Sequence, residues 1–429
     1  MRVAYLAAGA GGMYCGSCMR DNRVAATLIE QGRDVVLMPL YTPLRTDEVD
    51  VSRSPIYYGG INVFLEQYAG IFRRLPARWT RWLDAPGLLR WVMRFSGSTS
   101  ASALGKLTVS ILRAEKGLQS KELDQLIAAL RDLRPDVVNV PDLMILGIGR
   151  AIREALGVPV LCTLSGEDIF LDELPEPYKG QSLALIREQA SGVDGFVSAT
   201  RYFADHAARS YGLPRDRVHV VPLGVRVEDF AAGPSAVSGS FTIGYLARIC
   251  RAKGLMKLAE ALVELRRRGR EVRVRAGGYL AASDRGYLEG IRKYVRERGC
   301  EDSFAYVGEV DRGGKIELLR SSHVLSVPTV YHEAKGTYVI EAMAAGTPVV
   351  QPRHGSFPEF IEATGGGVLY DPEEAFGLVE AIERLMDDEG LRRSLSENAR
   401  IGVRARFTDK LMAERTWSVF ESCLGALRP

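Results

Sequence analysis

Hydrophobic residues along this chain gather in short runs of four to six, and the stretches between the runs repeat their apolar positions every three or four residues. The runs Val3 to Leu6, Val35 to Pro39, Val137 to Val140, Val158 to Thr163, Gly195 to Ser198 and Val218 to Val221 predict strands that are apolar on both faces. Such strands belong in parallel sheets with helices packed on each side. Helical spacing over Leu123 to Leu133 and Tyr202 to Tyr211 supplies intervening helices. Strand and helix therefore alternate, the mark of an α/β fold.

Residues 224 to 240, GVRVEDFAAGPSAVSGS, interrupt the alternation with glycine, proline and serine and predict a domain boundary. The scheme then restarts with a strand at Phe241 to Leu246, a helix presenting Leu255, Leu258, Leu262 and Leu265 on one face, and the alternating Val272 and Val274. The chain thus divides into residues 1–230, residues 231–406 and a terminal helix, 407–429. On that helix Ala413, Trp417, Phe420 and Leu424 form an apolar stripe that needs a surface to cover.

With 429 residues, 46% of them hydrophobic, the chain can bury two cores of ordinary domain size. The net charge is +3 and bases are interspersed with acids, so no polybasic tract points to nucleic acid. Six cysteines without a zinc-type repeat predict reduced thiols and a cytoplasmic protein. Val3 to Ala8 is too short for a signal-peptide core, and no stretch approaches the roughly 20 apolar residues of a membrane span.

Candidate chemistry concentrates in residues 324 to 359, VLSVPTVYHEAKGTYVIEAMAAGTPVVQPRHGSFPE. The apolar run Val324 to Val327 predicts a strand, and Thr337 to Ala345 a helix that ends before Gly346 and Pro348. Glu333 then sits in the loop at the strand's carboxyl end and Glu341 a turn up the helix, so the two carboxylates can bracket a ligand at the helix mouth. Amides near Gly336, Thr337 and Tyr338, with the positive end of the helix dipole, offer a place for a diphosphate. The helix is apolar throughout, so a carboxylate at Glu341 needs a partner.

A Glu-x7-Glu pair alone carries little information, because glutamate is common. The whole stretch, however, resembles the donor site of the family 4 glycosyltransferases, retaining enzymes of the two-domain GT-B fold. The resemblance extends to IGYLARICRAKG, residues 243 to 254, where Arg248 and Lys253 match the family's Arg-x4-Lys pair, and to residues 197 to 230, which look like its passage into the interdomain linker. It implies two Rossmann-like domains facing a cleft, with the terminal helix returning to the first. It also implies that Glu333 meets the donor sugar and Glu341 the ribose, and that attack occurs on the front face with the leaving phosphate assisting the acceptor's deprotonation.

Charge developing on a leaving diphosphate needs cationic or dipolar stabilisation. Arg248 can grip phosphate bidentately and Lys253 adds a mobile charge. Asp-x-Asp, typical of metal-dependent transferases, does not occur in the sequence, so no metal or cofactor is expected.

In the first domain Gly11 and Gly12 stand in a glycine-rich turn where amides can approach a phosphate or acceptor, although Tyr14 replaces the last glycine of the dinucleotide fingerprint. Where many family members carry a histidine near the donor sugar, the loop TLSGEDIF places Ser165. Any acid/base task there falls to another group, with Glu167 and Asp168 the nearest candidates, though both also suit turn capping. Cys15 and Cys18 form Cys-x-x-Cys at a helix start, where redox or metal chemistry is conceivable. Lacking a second ligand pair, they read as structural.

Trp79, Trp82 and Trp91 lie among six arginines within residues 73–95. That grouping suits either peripheral contact with anionic lipid at the inner membrane face or, the reading favoured here, helices whose arginines snorkel. The sequence as a whole predicts a retaining hexosyltransferase that uses a nucleotide diphosphate sugar and an unidentified hydroxyl acceptor, on a glycan or linked to lipid. The alternatives are a nucleotide-sugar isomerase and a non-catalytic binding subunit on the same fold.

Overall fold

The computed structural model describes residues 1–9, 15–53, 55–58, 63, 65–67, 101–230 and 239–427. Gly11, Gly12 and residues 73–95, singled out above, lie outside the described residues. Two parallel sheets organise the rest. The first contains β1 (Arg2–Ala7), β2 (Asp34–Pro39), β3 (Val137–Val140), β4 (Val160–Thr163), β5 (Gly195–Ser198) and β6 (Val218–Val220), in the order β2-β1-β3-β4-β5-β6. Strands β3, β4 and β5 are buried at every position, as a sheet covered on both faces requires.

The second sheet contains β7 (Phe241–Leu246), β8 (Val272–Gly277), β9 (Phe304–Gly308), β10 (Val324–Leu325), β11 (Val349–Pro352) and β12 (Gly367–Tyr370), in the order β12-β11-β10-β7-β8-β9. The helix Leu255–Arg267 packs Leu255, Leu258, Leu262 and Leu265 inward, all fully buried, as the spacing predicts. Strand β10 is shorter than its apolar run. Its ladder ends after Leu325, and the Val327 amide turns to the side-chain oxygen of Gln351 at 3.3 Å.

Both sheets reverse direction at their first strand: β1 lies between β2 and β3, and β7 between β8 and β10. Open α/β sheets bind ligands beyond the carboxyl ends of the strands where the order reverses. The loops to inspect are therefore those after β1 and β3 in one sheet and after β7 and β10 in the other.

The chain forms two compact units, one of Met1–Val221 with Met412–Pro429 and the other Pro222–Leu411. The division falls upstream of the glycine- and proline-rich stretch, because residues 225–229 are already tied into the second unit. Val225 bridges Thr408, its amide bonding Phe407 O at 2.9 Å while its carbonyl accepts from Asp409 N at 3.0 Å. Asp229 pairs with Arg312, and Glu228 with Lys410 at 3.0 Å.

The terminal helix, Asp409–Leu427, belongs to the first unit from Met412 onward. There Ala413, Trp417 and Phe420 are buried, Phe420 edge-on to Tyr5 of β1 with ring centroids 6.3 Å apart and Trp417 beneath the Arg33 guanidinium. Leu424, the last residue of the stripe, is only partly covered.

Candidate active site

In the second unit, the loops after β7 and β10 converge on one ion pair. The first loop makes a tight turn, Arg251–Lys253, closed by Gly254 at φ +72°, where a Cβ would sit 1.8 Å from Pro328 O. Only glycine lets that turn lie so close against the other loop. The Val330 amide completes the join, donating to Ala252 O at 3.0 Å.

Lys253 Nζ is thereby brought to Glu333 Oε2, which also accepts from the hydroxyls of Tyr331 at 2.8 Å and Tyr338 at 3.0 Å. The Lys335 amide reaches Oε1 at 3.3 Å. Gly355, at φ +59°, fixes the loop from the other side, since a Cβ there would lie 2.6 Å from both N and O of Glu333.

Glu333 is only 5% exposed. Burial alone would push its carboxyl up, but the Lys253 charge and the bonds from Lys253, Tyr331 and Tyr338 outweigh it and hold the group at about 2. Burial, reinforced by the Glu333 charge, pushes the Tyr338 hydroxyl well up, so it stays a donor. Glu333 is thus an ionised acceptor near neutral pH.

The helix that follows, Thr337–Ala344, starts at Gly336 in the left-handed region, φ +63°. Tyr338 is turned inward and buried. Glu341 has the partner its apolar surroundings demand, Lys315 of the helix Arg312–Arg320, at 2.7 Å with both side chains under 10% exposed. Arg248 does not join the Lys253 cluster. It stands half-exposed on the loop after β7 and pairs with Asp284 at 3.1 Å.

Sequence reasoning missed Tyr331 and Lys315. Tyr331 lies two residues before Glu333, and Lys315 shares the buried face of its helix with Leu318 and Leu319. A lysine at core spacing was the available signal for the second.

In the first unit, Ser165 lies in the loop after β4, held by three contacts. Its hydroxyl donates to Pro141 O at 2.8 Å and accepts from Arg20 Nη2 at 3.3 Å, and its amide donates to Glu167 Oε1 at 2.7 Å. The same Glu167 oxygen takes the Leu143 amide at 3.3 Å. Glu167 thus clamps the loops after β3 and β4 together through one of its oxygens, and Asp168 opens the helix Asp168–Glu173.

Asp142, after β3, was not singled out from the sequence. Burial first, then the Glu167 charge, push its carboxyl up to about 7.

Among the described residues no group of three or more histidine, cysteine, aspartate or glutamate side chains is arranged to hold a metal ion, and no helix is long and apolar enough to cross a membrane.

Two family profiles cover the two units. One described as "Glycosyl transferase 4-like domain" matches residues 22–224, and one described as "Glycosyl transferases group 1" matches residues 228–401. The chain is similar to a D-inositol 3-phosphate glycosyltransferase of Xylanimonas cellulosilytica, 28% identical over 54% of this chain and only 57% of that protein's length. It is also similar to one of Corynebacterium diphtheriae, 24% identical over 84% of this chain and 89% of the relative.

Among solved structures, sucrose-phosphate synthase from Thermosynechococcus elongatus superposes with TM-score 0.73 at 17% identity, covering 99% of this chain and 100% of that one. Anabaena HepE in complex with UDP-glucose superposes with TM-score 0.69 at 16% identity, covering 98% and 100%. At such identities these two structures establish the shared fold.

Proposed function

Since the chain belongs to the family 4 glycosyltransferases and has their GT-B fold, we propose that it is a retaining transferase. In this reading it moves a hexose-type sugar from a nucleotide diphosphate donor to a hydroxyl acceptor without a divalent metal. The observation that carries the reading is the meeting of Lys253 and Glu333 where the second sheet reverses, one from the loop after β7 and the other from the loop after β10.

Lys253, held by Glu333 and Tyr331 on a flexible stem, exchanges part of its pairing for the donor's diphosphate, and Arg248 supplies a second, planar cation. The amides at Gly336, Thr337 and Tyr338 add the dipole of a helix start. Glu333, ionised at any ordinary pH, accepts from sugar hydroxyls. Glu341, whose Oε1 is taken by Lys315, accepts from the ribose through its other oxygen. Ser165 of the first unit stands where the resemblance places a histidine; its hydroxyl proton goes to Pro141 O, so toward a ligand it can only accept.

The complex of HepE with UDP-glucose makes UDP-sugars the first donors to test. The relatives named for D-inositol 3-phosphate make a phosphorylated polyol the first acceptor, with lipid-linked hydroxyls next. The test incubates the protein with UDP-, GDP- and ADP-sugars and these acceptors in excess chelator and reads the new anomeric centre by NMR. Product with the donor's configuration supports the reading. An inverted product, or one that requires metal, overturns it. A donor rearranged without acceptor marks an isomerase, and a donor bound but unchanged marks a binding subunit.

A further inference from the structure

Cys15 and Cys18, structural on sequence grounds, acquire a different meaning from their geometry. Cys15 is the N-cap of the helix Gly16–Glu30, with extended backbone (φ −117°, ψ 126°) and no capping bond from its side chain. Cys18 is the third helical residue. Helical side chains lean toward the N-terminus, so this one leans back over the cap, in the same N-cap to N3 relation that brings two side chains together in a capping box.

Cys15 and the Gly9 backbone are the immediate neighbours of the Cys18 thiol. Neither is linked; Cys15 is partly exposed and Cys18 is 1% exposed. The outer sulfur is therefore reachable by a small reagent, and the inner one is placed to resolve whatever forms there. The contact with Cys15 and burial push the Cys18 thiol well up, so the exchange begins at the outer sulfur.

We propose that Cys15 and Cys18 form a reversible dithiol–disulfide site that exchanges with low-molecular-weight disulfides. The Cys15 thiolate attacks one sulfur of the small disulfide, forming a mixed disulfide and releasing one small thiolate. Cys18 then attacks the Cys15 sulfur and passes its proton to the second small thiolate as that leaves. The protein loses two protons and two electrons, and one small disulfide becomes two small thiols.

The link closes over the turn just before Arg20 and Asp21. Arg20 holds the loop after β4 through Leu164 O at 2.9 Å and Ser165 Oγ at 3.3 Å, so the crosslink sits on the ligand side of the first sheet.

The full chain, folded, is equilibrated in buffers of increasing oxidised-to-reduced glutathione ratio, quenched with an alkylating agent and digested with trypsin. One peptide, residues 3–20, contains both cysteines and no others. It is expected to become lighter by two hydrogens and to lose both alkylation sites as the ratio rises, and dithiothreitol is expected to restore them. In Cys18→Ala the same peptide is expected to stop at a glutathione adduct on Cys15. The proposal is overturned if the wild-type peptide takes two alkyl groups at every ratio, retains glutathione without an internal link, or forms the link only in denaturant. The wild-type experiment decides even if the variant fails to fold.

Discussion

Replacing Glu333 with glutamine removes one charge from the Lys253 pair and leaves an amide oxygen for the tyrosine hydroxyls. The carboxyl is held at about 2 against a reference of 4.5, which at roughly 1.4 kcal/mol per pKa unit corresponds to about 3 kcal/mol of stability. The Lys253 side chain is 19% exposed, so water recovers part of what it loses. A net cost of about 2–3 kcal/mol is expected, within the range for breaking a mostly buried pair on one side.

For a unit the size of Pro222–Leu411, each kcal/mol moves Tm by roughly 2–4 °C. The transition of that unit is therefore expected to fall by roughly 4–12 °C in scanning calorimetry at pH 7. Because the folded-state value is depressed, the stabilisation is fully present above 4.5 and drains away as pH falls through about 2. The gap between wild type and Glu333→Gln should thus have shrunk to less than roughly half by pH 3. Equal transitions at pH 7, or a gap that does not change with pH, would refute the reasoning.

The pair in the neighbouring helices behaves similarly, since Lys315→Met strands Glu341 in an apolar helix. A loss of about 3 kcal/mol is expected in denaturant unfolding, largely recovered when Glu341→Gln is added. Asp142 runs the opposite way: with a carboxyl raised to about 7 by burial, Glu167 and Asp21, it contributes stability at acid pH that is lost as pH rises from about 3.8 to 7. Asp142→Asn, which keeps an acceptor for the Met144 amide, is therefore expected to melt close to wild type at pH 4 and above it at pH 8; melting below it at pH 8 counts against the assignment.

What the sequence made legible was whatever a single element carries. Buried strands such as β3 and β4 announce themselves by continuous apolar runs, and the leucine face of Leu255–Arg267 by its spacing. Glu333 and Lys253 were found because each stands in a motif of its own. Their union was not readable, since 80 residues separate them and only the strand order beside β7 makes their loops neighbours. Lys315 escaped for the same reason, its role lying in a contact with another helix. Glu167 was read as an acid/base candidate or a turn cap, because a sequence cannot show that the amides of Leu143 and Ser165, 22 residues apart, share one of its oxygens. The length of β10 was overestimated because a buried apolar run looks the same whether its amides meet a strand or, as at Val327, a glutamine.

The central claim, a metal-independent donor site built on the loops after β7 and β10, is tested most directly by calorimetric titration with UDP, GDP and ADP in chelator. Wild type is compared with Arg248→Ala, Lys253→Ala and Glu341→Ala. The account predicts that one nucleotide binds without metal and that each substitution weakens it, by roughly tenfold or more for each charge-assisted bond lost. Binding that requires a divalent ion, or that is indifferent to all three residues, would contradict it.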